Sequence, residues 1–189
     1  PLEIYTASQL AEIAVLVNSK LGGLERFLFN NADAAVYLKL MNDIDLSGYQ
    51  GGEGWMPIGT DSYPFKGTFD GNNKVITGLK INHSDTECQG LFGYISGGTV
   101  RNLGVININI QGGLNVGGVA GYLENSGIIE NCYSTGTISS EIPFCYVGGV
   151  VGTSYATVRN CYSTCSVSAA TSSSSCTVGG VAGRSYGSI

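Results

Sequence analysis

A five-residue glycine-rich block recurs along this chain at nearly constant spacing. It reads Gly-Gly-Val-Ala-Gly at 117–121 and 179–183, Gly-Gly-Val-Val-Gly at 148–152 and Gln-Gly-Leu-Phe-Gly at 89–93, so successive copies begin 28, 31 and 31 residues apart. A second block, which contains an asparagine, follows each of the first three copies at a similar distance. Two linked motifs at one period indicate a chain built from stacked copies of one structural unit.

Each repeated unit is composed of short strands. From residue 36 onward apolar and polar residues alternate with a period of two, which is typical of strands with one buried face. About 30 residues per unit, with turn-forming Gly and Asn and no second helical pattern, predict that each unit is one coil lying on the preceding coil. We therefore predict an all-β fold: a parallel, right-handed β-helix or solenoid of about 30-residue coils with an N-terminal capping α-helix.

The capping helix is predicted over residues 6–20. Thr6 and Gln9 have the spacing of a capping box, and a glycine pair at 22–23 is expected to end the helix. Its apolar residues recur on one face at helical spacing; these are Leu10, Ile13, Ala14 and Val17. A stack of coils has an open end, which such a helix can cover.

The predicted organisation is an N-terminal cap over residues 1–35 and β-helix coils over residues 36–189, with the repeats starting at about residue 88. The first residue is not Met, and the last glycine block is not followed by its asparagine block. We therefore expect the chain to be a piece of a longer protein, truncated at its C-terminus, with any targeting signal removed.

The composition narrows the possible partners. Charged residues make up 12% of the chain, about half of their usual share. The net charge is −5 and the pI is about 4.7, which argues against nucleic acid and anionic membranes as partners, because both need basic patches. No apolar run approaches the roughly 18 residues of a membrane span. No cofactor is expected.

The cysteines follow the repeat. Cys132 and Cys161 share one repeat position, which is Leu103 in an earlier copy, and Cys145 and Cys176 share another. A position that accepts Leu or Cys is expected to be interior, so we favour stacked free thiols. Disulfides between successive coils remain the alternative, since the strand spacing lies within disulfide Cα range.

Asparagines and glycines also recur at fixed positions. Equivalent side chains of stacked coils stand one strand spacing apart, so the asparagines are predicted to form a hydrogen-bonded ladder that holds a turn. Equivalent glycines are predicted to allow a tight corner or a close backbone approach. These residues are Asn102, Asn131, Asn160, Gly118, Gly149 and Gly180. A polar binding row is the alternative role for the asparagines.

The combined motifs resemble the GLUG-motif repeat family. The Gly-[Leu/Val]-[Phe/Ala/Val]-Gly tetrads, each of the first three followed by Val/Ile-x-Asn-[Leu/Cys], carry the resemblance, together with the stretch from Asp43 through Trp55 and Phe65 to Leu79. The resemblance implies a bacterial cell-surface context, in large secreted adhesin-like proteins. Similar repeats precede the protease domain of some immunoglobulin A-specific metalloendopeptidases. The resemblance implies no known ligand.

Catalytic residues are sparse. His83 is the only histidine, so the paired ligands of a zinc protease are missing. Polysaccharide chemistry would need paired carboxylates on one coil face, with or without Ca²⁺. The acidic residues that could supply them are Asp43, Asp45, Asp61, Asp70, Asp85 and Glu87. Several of these lie in turn contexts where Asp is expected anyway, so we predict no catalytic residues, no metal site and no enzyme activity.

Two sets of residues are candidates for binding. One is an array of hydroxyls that alternate along two equivalent strands, where Thr is also favoured for structural reasons; it includes Thr135, Thr137, Thr164 and Ser166. The other set is aromatic, because aromatic rings stack on sugars; it consists of Tyr49, Trp55 and Tyr63. For Trp55 packing is the favoured role.

The predicted function is that of a non-catalytic repeat domain of a secreted or cell-surface bacterial protein. It would act in adhesion or display, as a rigid stalk that binds a host glycan or surface protein. One alternative is a structural spacer without a ligand, or a unit that self-assembles through its coil ends. The other is a carbohydrate-active lyase or hydrolase.

Overall fold

Parallel strands from successive coils pair throughout the computed structural model, which describes residues 1–19, 36–170 and 175–189. The described chain forms a β-solenoid of about five turns, with one α-helix near its N-terminus. The predicted fold class is confirmed, because each repeated unit is one coil that hydrogen-bonds to the next. The right-handed sense of the coil stays a prediction.

Three sheets form the sides of the solenoid. The largest has ten strands: β1 (Leu2–Ile4), β2 (Tyr37–Leu40), β3 (Ile44–Asp45), β4 (Thr68–Thr77), β5 (Lys80–Asn82), β8 (Thr99–Gly112), β11 (Ile128–Ser140), β14 (Thr157–Arg159), β15 (Tyr162–Ser163) and β16 (Ser166–Ala169). The second contains β7 (Phe92–Ser96), β10 (Ala120–Glu124), β13 (Val151–Ser154) and β18 (Ala182–Ser185). The third contains β6 (Cys88–Gln89), β9 (Asn115–Gly117), β12 (Tyr146–Gly148) and β17 (Thr177–Gly179).

The repeated motifs stack in register. The glycines Gly117, Gly148 and Gly179 lie opposite one another in β9, β12 and β17. In β11, Glu130 pairs with Arg159, and Tyr133 pairs with Tyr162 of β15. The residues between these pairs therefore also stack, which places the repeated asparagines of successive coils next to each other.

The core is a series of apolar rows that run along the stack. One row passes through β2, β4, β8, β11 and β14; its members are Leu38, Phe69, Val100, Ile129 and Val158. Each of these side chains is at most 1% exposed. Burying such a side chain contributes roughly 1.5–3 kcal/mol relative to leaving it in water. Stacking of similar apolar residues is therefore what holds successive coils together.

Helix α1 (Ala7–Val17) has the predicted capping box. The Gln9 N–H donates to Thr6 Oγ1 at 3.3 Å, and the Thr6 N–H donates to Gln9 Oε1 at 3.1 Å. The helix ends at Val17, earlier than the predicted boundary at residue 20, because Asn18 is the C-cap. The Asn18 side chain then bonds to the backbone of residues 57 and 59. The glycine pair predicted to stop the helix lies outside the described residues.

The predicted cap contributes a strand to the solenoid. Residues 2–4 form β1, which pairs in parallel with β2, so that Ile4 lies opposite Leu40. The four apolar residues of the helix face, which follow β1 in the chain, are buried in the same core. Residues 1–19 therefore both begin the large sheet and fill the adjacent part of the core.

Candidate binding surface

The repeated asparagines form corners of the large sheet. Asn102, Asn131 and Asn160 have φ values of 52°, 53° and 54°. Asn tolerates this left-handed conformation better than most residues, since its short side chain bonds locally. Asn131 Nδ2 donates to Asn102 Oδ1 at 3.1 Å, and Asn102 Nδ2 donates to Asp70 Oδ1 at 3.1 Å. The Asn102 and Asn131 amides are therefore bonded along the stack, which leaves them less available to a ligand.

Asp70 anchors the ladder in a satisfied polar cluster. Its carboxylate accepts hydrogen bonds from the Tyr37 hydroxyl at 2.7 Å and from Arg101 Nε at 3.1 Å, in addition to Asn102. Burial raises the pKa of Asp70, but hydrogen bonds from Tyr37, the Asn72 N–H and Asn102, with the Arg101 charge, outweigh it and lower the pKa to about 2. A carboxylate held in this way has a structural role.

Two further acids of the alternative catalytic set are also bonded to the backbone. Asp43 Oδ1 accepts the Val75 N–H at 2.9 Å, and Asp45 Oδ1 accepts the Ser47 N–H at 2.8 Å. Within the described ranges, no three His, Cys, Asp or Glu side chains form a group that could hold a metal ion.

The candidate aromatic residues occupy different environments. Trp55 is 2% exposed, and its Nε1–H donates to the Leu91 carbonyl at 3.2 Å. The Tyr49 ring packs edge-on against it, with centroids 5.8 Å apart. The Trp55 ring lies in the core and has no open face, which fits the packing role favoured for it over the binding role. Tyr63 is partly exposed, in a turn closed by hydrogen bonds with Thr60.

The candidate hydroxyls point outward from the large sheet. Thr137 of β11 lies opposite Ser166 of β16, and both are exposed. Thr135 Oγ1 accepts the Asn107 N–H at 3.2 Å, at a corner where the register shifts, and Thr164 is exposed in the next coil. The structure therefore places Thr137 and Ser166 in one flat row, with Thr135 and Thr164 beside it.

This row extends further than the hydroxyl pattern indicated. We define the polar face as two parallel rows of outward residues on β5, β8, β11 and β16: Lys80, Asn109, Thr137 and Ser166, and Asn82, Gln111, Ser139 and Ser168. Residues within a row stand about 4.8 Å apart, and the rows are roughly 6.6 Å apart. The first two coils were not predicted from the hydroxyl pattern, because Lys80 and three amide side chains occupy these positions.

A second row, on the other side of the solenoid, is aromatic. Tyr94, Tyr122, Tyr155 and Tyr186 stack in series, with ring centroids 4.7, 5.7 and 4.6 Å apart. The ring faces are occupied by neighbouring rings, so the row mainly presents edges and hydroxyls to solvent. Such stacking adds rigidity between coils. This row was not predicted from the sequence, although a Tyr follows each glycine block within a few residues.

The cysteines divide into two states. Cys132 is 1% exposed and lies next to Cys161 in the following coil, and both are free thiols. Cys145 and Cys176 form a disulfide, with Cα atoms 4.5 Å apart, instead of the favoured free thiols. Side chains at one position of successive coils are close enough for a bond when their rotamers turn toward each other.

The repeated glycines allow close approach between coils. The Gly118 N–H donates to the Gly149 carbonyl at 3.1 Å. A Cβ atom on Gly149 would overlap the Gly180 carbonyl and the Ser163 side chain, whereas one on Gly180 would meet no heavy atom within 4 Å. The glycine block is therefore required where another coil follows it.

These features define the chain as a parallel β-solenoid built from sequence repeats. A family model described as the GLUG motif matches residues 112–139, so the chain carries this motif over the coil that contains β9, β10 and most of β11. Among the described residues, no helix has the length and apolar character needed to cross a membrane.

Two curated proteins are similar to this chain in sequence. Halomucin of Haloquadratum walsbyi is 33% identical over 152 residues, which cover 78% of this chain and 2% of that protein. An inferred Gly-rich membrane protein of Evansella cellulosilytica is 42% identical over 101 residues, which cover 50% of this chain and 12% of that protein. The chain thus corresponds to a small part of each relative.

One solved structure has the same fold. It is an inferred immunoglobulin A1 protease from Bacteroides ovatus, with a TM-score of 0.63 and 24% sequence identity. The match covers 98% of this chain and 62% of that chain. At this level of identity the similarity establishes the solenoid architecture alone.

Proposed function

We propose that this chain is a non-catalytic display domain of a secreted or cell-surface bacterial protein, and that its polar face binds a host glycan or surface protein. The observation that carries the proposal is the polar face itself. Eight outward polar residues stand in two straight rows across four successive coils. Such a lattice offers hydrogen-bonding groups at regular intervals to an extended ligand such as a polysaccharide.

The cell-surface setting is supported by the relatives. One is named halomucin and the other is named as a Gly-rich membrane protein, and this chain corresponds to a small segment of each. A rigid solenoid of stacked coils suits the spacing and presentation of a surface away from its anchor. The low charge is compatible with contact through neutral hydroxyl and amide groups.

The carbohydrate-active alternative has weaker support. Asp43, Asp45 and Asp70 are bonded to backbone N–H groups, so they are poorly placed to act as acid and nucleophile on a substrate. The polar face itself carries Lys80 and no carboxylate. Lyase and hydrolase assays on a polysaccharide panel, with and without Ca²⁺, are expected to show no turnover. Turnover that is lost in an Asp43→Asn variant would support the enzyme instead.

A glycan-array screen of the whole chain, followed by calorimetry on the best hits, tests the binding role. The test variant replaces one row of the polar face by alanine, at Asn109, Thr137 and Ser166. The matched control replaces three outward threonines at the other end of the same sheet, Thr68, Thr99 and Thr157. We expect the first variant to weaken binding by at least about tenfold and the control to bind like wild type.

Two outcomes would count against this role. If wild type binds no glycan and no surface-protein extract, the structural-spacer function is favoured, for which the stacked tyrosine row is the supporting feature. If both triple variants lose binding equally, the ligand lies elsewhere on the solenoid and the polar face is not the site.

A further inference from the structure

A surface cavity of about 540 Å³ lies where residues 56–61 meet residues 83–89, beside the end of α1. This volume is within the range of pockets that bind ligands. Three carboxylates from the two segments border it, Asp61 from the first and Asp85 and Glu87 from the second, and all three residues are exposed. The polar face uses none of these residues.

These three carboxylates are unpaired among the residues that the structure describes. Within the described ranges, none of them takes part in a hydrogen bond or an ion pair, whereas the acids described above are each bonded to a backbone N–H. Of the described residues that border the cavity, none is Lys or Arg. His83 also borders the cavity, and its Nε2 lies 3.5 Å from a Glu53 carboxylate oxygen. The cavity therefore has unpaired acceptors and a negative potential.

Gln89 is an independent indication of a ligand. Its side chain is 2% exposed, it borders the cavity, and Nε2 donates to the Cys88 carbonyl at 2.9 Å. In the described part of the chain, its Oε1 has no hydrogen-bond partner. In the following coils the same position is occupied by Val116 and Val147. A buried polar group that replaces valine and stays unsatisfied breaks the pattern of the repeat, and such breaks concentrate at functional sites.

The negative potential extends inward from the carboxylates. Burial raises the pKa of Cys88 to about 12, and the charges of Glu87 and Asp61 act in the same direction. The carboxylates do not converge into a group that could hold a metal ion, as judged over the described residues. A complementary ligand is therefore an organic cation with several hydrogen-bond donors.

We propose that this cavity binds an arginine side chain on a basic segment of a protein partner. The guanidinium group has five donors and no acceptor, and its planar fork matches carboxylate oxygens. Met56 and Pro57 line the cavity and offer apolar surface to the aliphatic stem. The net charge of −5 favours the approach of a basic partner. This deepens the proposed display function by adding a partner class.

The test is titration of the whole ¹⁵N-labelled chain with three capped peptides that differ at one residue: arginine, lysine, or citrulline, which keeps the shape of arginine without its charge. We expect the arginine peptide to shift the amide signals of residues 60–61 and 85–89, and the lysine peptide to bind more weakly. The citrulline peptide should leave these signals unchanged. No shifts up to about 10 mM arginine peptide, or equal shifts with citrulline, would overturn the proposal.

Charge-neutral variants locate the site. Asp61→Asn, Asp85→Asn and Glu87→Gln together should weaken arginine binding at least about tenfold. The control carries the same change in charge elsewhere, through Glu3→Gln, Glu12→Gln and Glu141→Gln, and should bind as wild type does. An equal loss of affinity in both variants would indicate non-specific attraction to an acidic protein and would contradict the proposal.

The Gln89→Val variant distinguishes a role of Gln89 in binding from a role in stability. Valine is the residue found at this position in the next coils, so the variant should fold and unfold at a higher denaturant concentration than wild type. Its affinity for the arginine peptide should nevertheless fall. Unchanged affinity in this variant would exclude Gln89 from the site. Since the peptide assay does not involve the polar face, a failure here leaves the glycan result standing, and the reverse also holds.

Discussion

Asp70 is the residue on which the polar ladder of the large sheet depends. Its side chain is 11% exposed, and its pKa is lowered to about 2. Because the folded-state pKa lies below that of the unfolded chain, this group stabilises the fold above about pH 4, and the contribution is lost as the pH falls through about 2.

Replacing Asp70 by Asn should therefore lower the free energy of unfolding at pH 7 by about 2 kcal/mol. The difference from wild type should shrink as the pH is lowered from about 4 to 2, because wild-type Asp70 becomes protonated. Urea unfolding over this range measures both effects. Asp45→Asn is the control, since this carboxylate is exposed and accepts the Ser47 N–H, and it should cost less than about 1 kcal/mol. A pH-independent difference would contradict the electrostatic role of Asp70.

The thiols should differ in reactivity according to their surroundings. The hydrogen bond with Cys161 and burial raise the pKa of Cys132, whereas the hydrogen bond from Cys132 lowers the pKa of Cys161. The thiolate is the reactive form, so Cys161 should be labelled before Cys132 and Cys88 in the folded protein.

After unfolding without reductant, four of the six cysteines should react, and Cys145 and Cys176 should require reductant. Mass spectrometry of labelled peptides distinguishes the sites. If all six cysteines react without reductant, the Cys145–Cys176 disulfide is absent. A pair that is protected until reduction and maps to Cys132 and Cys161 would show a second covalent link between coils.

At the scale of the coil, close contact between glycine blocks sets which substitutions are tolerated. Gly149 and Gly180 occupy the same repeat position, but a Cβ atom overlaps a neighbouring coil only at Gly149. Gly149→Ala should cost about 2 kcal/mol through overpacking, whereas Gly180→Ala should stay within about 0.5 kcal/mol. Urea unfolding of the two variants is a matched comparison. Equal effects would mean that coil spacing adapts freely at this corner.

Recurrence of residues along the chain also explains which parts of the fold could be predicted from the sequence. The coil stack was predictable because its glycine blocks and asparagines recur. Each recurring residue marks the same backbone position in successive coils. Strand β1 was not predictable, because residues 2–4 have no copy elsewhere in the sequence. Their pairing depends on β2, which lies far along the chain. The disulfide was not predictable either, because two cysteines in register are compatible with a bond or with free thiols, and side-chain rotamers decide.

The candidate surfaces were predicted only in part, for a related reason. Thr137 and Ser166 were identified because identical chemistry repeats in adjacent coils. Asn109 and Lys80 complete the same row with different chemistry, which only the register of the strands reveals. The tyrosine row was missed because Tyr155 is displaced along its strand relative to Tyr122, whose partner in β13 is Thr153. Side-chain reach, not repeat spacing, brings these rings together.

At the scale of the whole molecule, the solenoid has one hydrophobic core that runs along its axis and must be closed at its ends. Residues 1–19 contribute an outer strand and an amphipathic helix at one end. Exposed edges of parallel sheets pair readily with other chains. The helix should therefore control both the stability and the association state of the molecule.

Substitutions that introduce charged residues on the buried face of α1 test this role. Leu10 and Ile13 are 0% and 4% exposed, whereas Val15 on the opposite face is 55% exposed. Leu10→Asp with Ile13→Asp should lower the free energy of unfolding by more than about 3 kcal/mol, because two carboxylates would enter the core without partners. The opened end should then self-associate, which sedimentation velocity detects. Val15→Asp changes the same helix without entering the core, so it should remain monomeric and as stable as wild type. A double variant that is monomeric and fully stable would show that the helix does not close the stack.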